Sequence, residues 1–215
     1  MRSFILIVSL VAGATIVAAQ QTVQTNVKET EAIASRSLET FRQLANTGNF
    51  KTMGFESAEE AAGATLGEPI AVSMVTLEDL RAYQSGSDPE KLLKPSDKVI
   101  YPVSSKDQVR SSITVQKTNE GWKATEFGRP NLAKLLTSAL QRSSTANQVP
   151  ANAHFAVQIP ALNAYFTAYR ANGKLMLTSV IDDSGLNLAA GRTLPAEEVF
   201  GALAPIAQKY NGLPM

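Results

Sequence analysis

No cysteine occurs in this 215-residue chain, and histidine and tryptophan occur once each. The first absence excludes disulfide scaffolds, cysteine nucleophiles, iron–sulfur clusters and Cys-type zinc sites, and a single histidine excludes multi-His metal centres. An excess of one charge is missing too: 20 basic residues meet 19 acidic ones, a net +1, so nucleic acid is not an expected partner. Neither G-x-x-x-x-G-K-S/T nor G-x-G-x-x-G is present, so no nucleotide is implied, and nothing else in the sequence asks for a cofactor. Long apolar runs are absent except at the N-terminus.

That one run has the form of an export signal. Met1-Arg2-Ser3 gives a short basic start, Phe4–Ala19 is apolar apart from Ser9, Gly13 and Thr15, and Val17-Ala18-Ala19 ends it in small residues before the polar Gln20-Gln21-Thr22. Its 16 residues fall short of the roughly 20 that span a bilayer, so no stable membrane span is expected once the signal is cleaved. With no cysteine near the cleavage point, lipid anchoring is excluded as well. Loss of Arg2 leaves 19 basic against 19 acidic residues. Residues 1–19 are therefore read as a signal peptide, 20–26 as a flexible polar leader, and the product as secreted or periplasmic.

From 27 to 211 the pattern predicts a single α+β domain. Asn26 and Glu29 form a loose capping pair before a helix whose face carries Ala34, Leu38, Phe41 and Ala45, flanked by Ile33 and Leu44. Ser57-Ala58-Glu59-Glu60 caps a second, short helix, 69–75 reads as a strand, and Thr76 opens one or two helical turns. Asp88-Pro89 starts another turn. A β-meander is expected over 98–104, 109–117 and 122–127, with Val109, Ser111, Ile113 and Val115 on a buried face and Arg110, Ser112, Thr114 and Gln116 on a wet one. Leu132, Leu135, Leu136, Ala139 and Leu140 define an amphipathic helix, and 143–152 is the best linker and a point of subdivision. Strands at 153–159, 164–170 and 174–181 follow, the last two joined by Asn172-Gly173, before a helix carrying Val199, Leu203 and Ile206.

The expected fold is thus an antiparallel sheet with helices packed mainly on one face. A weak echo suggests two related strand-and-helix units: Ala71–Met74 matches Ala156–Ile159, Ala82-Tyr83 matches Ala168-Tyr169, and the strand from Lys98 matches that from Lys174, the first unit carrying an extra hairpin. The second unit has only about 60 residues and should lean on the first.

Candidate chemistry is sparse. Any Ser-His-Asp mechanism must use His154, with Asp182 or Asp183 to orient it and Ser111, Ser112, Ser179 or Ser184 as nucleophile; no G-x-S-x-G elbow is present, and a local hydrogen bond is the simpler fate of this histidine. Asp182-Asp183-Ser184-Gly185 offers hard oxygen ligands, but the spacing is not that of an EF-hand, and a self-capping turn explains it without a metal. Glu197-Glu198 complements a helix dipole. Tyr165 and Tyr169 share a strand face opposite Phe166, and with Trp122 they are the candidate ligand-binding aromatics.

These features lead to a non-enzymatic binding or assembly protein whose partner is a protein, peptide or small ligand of the cell envelope, with a hydrolase using carboxylates or His154, or a structural envelope component, as the alternatives. Mass spectrometry of protein recovered from its native source should find Gln20 as the first residue; recovery of intact Met1 inside the cell would remove the export reading.

Overall fold

The computed structural model describes residues 14–46 and 48–212, with side chains from 27 onward. Most of the apolar run of the signal reading therefore lies outside the described residues. Helix α1 (Ala14–Leu44) has no glycine or proline to break it, so it runs through 20–26, expected as a leader, and does not begin at Asn26. Its face holds Thr30, Ala34, Phe41 and Ala45 buried, whereas Leu44 is 42% exposed. Glu29 is not a cap: its carboxylate accepts the Trp122 indole N–H at 2.9 Å.

Helix α2 (Ala58–Ala62) shows the expected cap, the Ser57 hydroxyl accepting the Glu60 N–H at 3.1 Å and the Glu60 carboxylate accepting the Glu56 N–H at 2.7 Å. Glu60 does more than its cap position implies. It is buried, and Arg110 donates to it at 2.9 Å and to Glu56 at 3.0 Å. Burial pushes the Glu60 carboxyl up, but the Glu56 N–H and the Arg110 guanidinium outweigh it and hold the group below its ordinary value.

Among the described residues nine strands form one sheet: β1 (Thr65–Leu66), β2 (Ile70–Met74), β3 (Lys94–Ser105), β4 (Gln108–Thr118), β5 (Gly121–Gly128), β6 (Phe155–Ile159), β7 (Ala164–Ala171), β8 (Lys174–Ser179) and β9 (Thr193–Pro195). Their order is β5-β4-β3-β2-β6-β7-β8-β9, with β1 paired beside β3. Every pairing is antiparallel except β2 with β6. Between β2 and β3 lie helix α3 (Leu77–Ala82), capped by Thr76, and a 3₁₀ turn at Pro89–Leu92. Helix α4 (Pro130–Asn147) follows β5 and helix α5 (Ala196–Lys209) follows β9. The Asn172-Gly173 turn takes positive φ at both residues, 51° and 72°, as a two-residue hairpin requires.

Cross-strand partners point to the same face, so the register sorts the cores. Val99, Tyr101, Val103, Ile113 and Val115 pack under α1 and α2; on the same face Phe155, Val157, Ile159, Phe166 and Leu177 pack under α3 and α5. Arg81 of α3 donates to the Ala207 carbonyl at 2.9 Å, covering a free acceptor at the end of α5. The opposite face carries, among the described residues, helix α4 on Ile70, Val72, Ile100 and Ala156. From Ser111 on the meander alternates as expected, but a register shift sets Val109 opposite Ser104 and Ser111 opposite Val103, and Arg110, expected on the wet face, pairs with Glu60 of α2. Nor is the polar face wet, since Ser112 and Thr114 are 3% and 2% exposed, covered by α4. Nor is 143–152 a linker, because α4 continues to Asn147 and buries Ser143, one helical turn beyond Leu140.

The sequence echo survives at its start and in the helix that closes each unit, α4 and α5. Ala71–Met74 and Ala156–Ile159 are the neighbouring parallel strands β2 and β6, with Val72 facing α4 and Val157 facing α5. Equivalent residues on opposite faces, and α4 and α5 on opposite faces, are what a two-fold relation along the strand direction produces. Beyond that the matches fail. β3 pairs with β2 as β7 pairs with β6, so the Lys98 strand corresponds to β7 and not to the Lys174 strand, and both halves have four strands in the meander with no extra hairpin. Ala82-Tyr83 ends a helix, whereas Ala168-Tyr169 lies in β7.

Two glycines give opposite expectations. Gly54 has φ +96°, and a Cβ there would lie 2.1 Å from the Arg110 carbonyl and 2.7 Å from Pro130 Cβ. Gly201 lies within α5 with nothing near its absent side chain. In urea denaturation Gly54→Ala should cost about 2 kcal/mol or more, while Gly201→Ala should stabilise by about 0.5–1 kcal/mol.

Candidate functional site

The sequence candidates separate into two places and a set of local caps. Phe166 is core, so Tyr165 and Tyr169 lie together on the opposite face with Thr167. That face is not an open groove, because α4 crosses it. Tyr169 is 3% exposed and its ring lies 5.0 Å from that of His154, which is also buried. Tyr165 is half-buried, its hydroxyl accepting from the Gln158 amide at 3.0 Å beside α4. Trp122 stands apart on β5, half-buried against the cluster beneath α1 and bonded to Glu29, so it is not a free stacking surface.

The proposed triad is not assembled. His154 Nδ1 lies 3.0 Å from the Pro150 carbonyl, which can only accept, so Nδ1 carries the proton and Nε2 is the acceptor. The Ser143 hydroxyl, 3.2 Å away, donates to Nε2. Ser143 was hidden from sequence reasoning by the linker assignment, although its spacing of seven from Leu136 places it on the buried stripe of α4. Its oxygen accepts from Thr178 at 3.3 Å, and Thr178 then accepts from Thr193 at 2.8 Å. Asn147 donates to the Ser143 carbonyl at 2.8 Å. The result is a one-way chain of donors from β9 through β8 and α4 to the imidazole. A serine donating to a neutral histidine has the orientation of a general-base pair, but Ser143 and His154 are 3% and 6% exposed, which leaves a substrate no approach.

The remaining candidates serve their own loops or neighbours. Asp182 accepts the Ala190 N–H at 2.9 Å and Asp183 the Leu186 N–H at 3.1 Å, a self-capping turn. Among the described residues no three His, Asp or Glu side chains gather as metal ligands. Ser112 donates to the Gly128 carbonyl at 2.7 Å, Ser179 to Ile181 at 2.7 Å, Ser111 is buried without a hydrogen-bond partner, and Ser184 is exposed. Glu197 and Glu198 occupy the first turn of α5.

A separate cleft lies on the face carrying α5, where the Pro89–Leu92 turn, the β7–β8 hairpin and the start of α5 meet. It measures about 530 Å³. Arg170 forms its wall, donating to both Glu90 oxygens at 2.8–3.0 Å while its guanidinium sits 5.2 Å over the Phe155 ring. Pro89, Leu175, Pro195 and Ala196 give apolar surface, and Asp88, Lys91, Lys174 and Glu197 place both charge signs around it. The sequence marks Asp88-Pro89 and Asn172-Gly173 as turns, but no local signal says that residues 80 apart pair across them. Compared with known families, curated proteins and solved structures, the chain matches none.

Burial holds the His154 pKa below its ordinary value of about 6.5, with the Pro150 carbonyl opposing that shift. The unfolded chain therefore binds a proton that the folded chain refuses. The stability contributed by neutral His154 is complete above about pH 6.5 and declines as the pH falls toward the lowered folded value. Chemical denaturation should show this loss between neutral and mildly acid pH in the wild type and a shallower loss in His154→Gln. At neutral pH Ser143→Ala should cost about 1–3 kcal/mol, because Nε2 and the Thr178 hydroxyl lose their partner.

Proposed function

We propose that this chain is an exported, non-enzymatic binding or assembly protein of the cell envelope, and that the cleft between the Pro89–Leu92 turn, the β7–β8 hairpin and the first turn of α5 is its contact surface. The export reading rests on the basic start, apolar run and small-residue end of Met1–Ala19. Among the described residues no helix is long and apolar enough to cross a membrane.

The cleft carries the binding reading. Its volume suits a small ligand or a few residues of an extended chain. Arg170 and Glu90 neutralise one another and stiffen the wall. Lys91 and Lys174 line the cleft together with Asp88 and Glu197 and the apolar surface of Pro89 and Pro195, a balanced lining that favours a peptide or other zwitterionic segment over a polyanion. The tyrosine face contributes less to this reading, since Tyr169 is covered. A hydrolase reading is disfavoured by the enclosure of the one serine–histidine pair.

Photo-crosslinking residues placed at 91, 174 and, as a remote control, 51 would test the cleft in native envelope extract. Positions 91 and 174 should capture the same species, position 51 should not, and Glu197→Lys should diminish the capture. Identical products from all three positions, or none from the cleft, would rule out this surface.

A further inference from the structure

We propose that α4 is an acid-released lid, latched by His154, whose C-terminal half leaves the sheet when the imidazole takes up a second proton. This goes beyond the binding reading and does not depend on the cleft.

Helix α4 is held unlike the other long helices. Leu136, Ala139 and Leu140 bring it an apolar contact, but the strands beneath also present Ser112, Thr114, Thr167 and Thr178, all buried. The hydroxyls of Thr137 on α4 and Thr167 on β7 are enclosed without a hydrogen-bond partner, so part of this interface opposes closure. Both ends bend through left-handed backbone at residues with side chains, Arg129 at φ 56° and Gln148 at φ 55°, and the first turn has no side-chain cap. An element whose contact with the sheet mixes apolar groups with unpaired hydroxyls opens more readily than one held by apolar burial alone.

The latch sits at the C-terminal end. Neutral His154 accepts from Ser143, and Ser143 can then accept from Thr178. A doubly protonated ring turns Nε2 into a donor. Ser143 then faces donors from the imidazole, from Thr178 and from Asn147, 3.4 Å away, while its own hydrogen loses its acceptor. The groups around the ring do not compensate. Of Tyr169 from β7, Ser143 and Asn147 from α4, Thr178 from β8 and the Pro150 carbonyl, only Tyr169 titrates, and burial raises its pKa, so it remains neutral in acid. No carboxylate is among the partners of His154 to hold the cation in place. The new charge is accommodated by opening toward water.

The test is hydrogen exchange of the full chain at about pH 7.5 and about pH 5, corrected for intrinsic rates. Protection of peptides covering 136–150 should fall at the lower pH, by about tenfold, relative to β3 and β4. In His154→Gln that difference should disappear. Unchanged α4 protection in the wild type, or an equal loss in His154→Gln, overturns the proposal. Should His154→Gln fail to fold, proton NMR of the single histidine decides: its resonance should titrate below about pH 6.5 together with the Leu136 and Leu140 methyls, and an imidazole that titrates while those methyls stay fixed overturns the lid.

Discussion

Three residue pairs, Val72–Ala156, Ser73–Val157 and Met74–Gln158, join two antiparallel meanders through the one parallel contact in the sheet, and the Val75 N–H extends the seam to the Gln158 carbonyl at 2.9 Å. Everything else is arranged around it. Without this seam β2 and β6 would become edges with unpaired backbone groups beneath helices, a costly state for buried strands. The seam also fixes which face each helix meets: Val72 and Ala156 turn toward α4 while Val157 turns toward α5. The cleft, built from the first half's Glu90 and the second half's Arg170, exists only because the halves are held side by side.

The two faces of that sheet are stabilised by different physics. Beneath α1, α3 and α5 the contact is mainly apolar, with Phe41, Phe166, Phe200 and Leu203 fully buried, joined under α1 and α2 by the Thr30–Tyr101 hydrogen bond and the Glu60–Arg110 ion pair. Beneath α4 a smaller apolar patch is joined to a run of hydroxyls that ends at the only histidine. Apolar contact is indifferent to pH, but a directional chain of hydroxyls depends on the protonation of its terminal acceptor. On the face bearing Tyr165 and Tyr169 the acid-sensitive group is thus the imidazole at the end of that chain, as the Glu60 carboxylate paired with Arg110 is on the other.

Much of this was legible in the sequence where the signal is local. The Asn172-Gly173 hairpin, the Ser57–Glu60 cap, the Thr76 cap and the alternation of Ser111–Gln116 all emerge as the residues imply. Failures came where a tertiary contact overrode composition. Ser143–Asn147 is small and polar, which reads as linker, yet those residues stay helical because Ser143 finds His154 and Thr178 in the interior. Ser112 and Thr114 obey the strand period, but period alone does not reveal that a second helix layer covers their face. Glu29 is a plausible cap by spacing and is instead the acceptor for an indole 93 residues away. The cleft was invisible for the same reason, being a pairing of two turns distant in the chain.

The seam makes the halves one cooperative unit, and the single tryptophan allows that to be measured. Trp122 lies on β5 at the far edge of the first half, and Leu177 is fully buried in the second. Urea unfolding of Leu177→Ala, a change costing about 2–5 kcal/mol, is to be followed by Trp122 fluorescence and far-ultraviolet circular dichroism together. A continuous sheet predicts that both midpoints fall by the same amount in one transition. A Trp122 midpoint that stays at its wild-type value while the circular dichroism splits into two steps would contradict it.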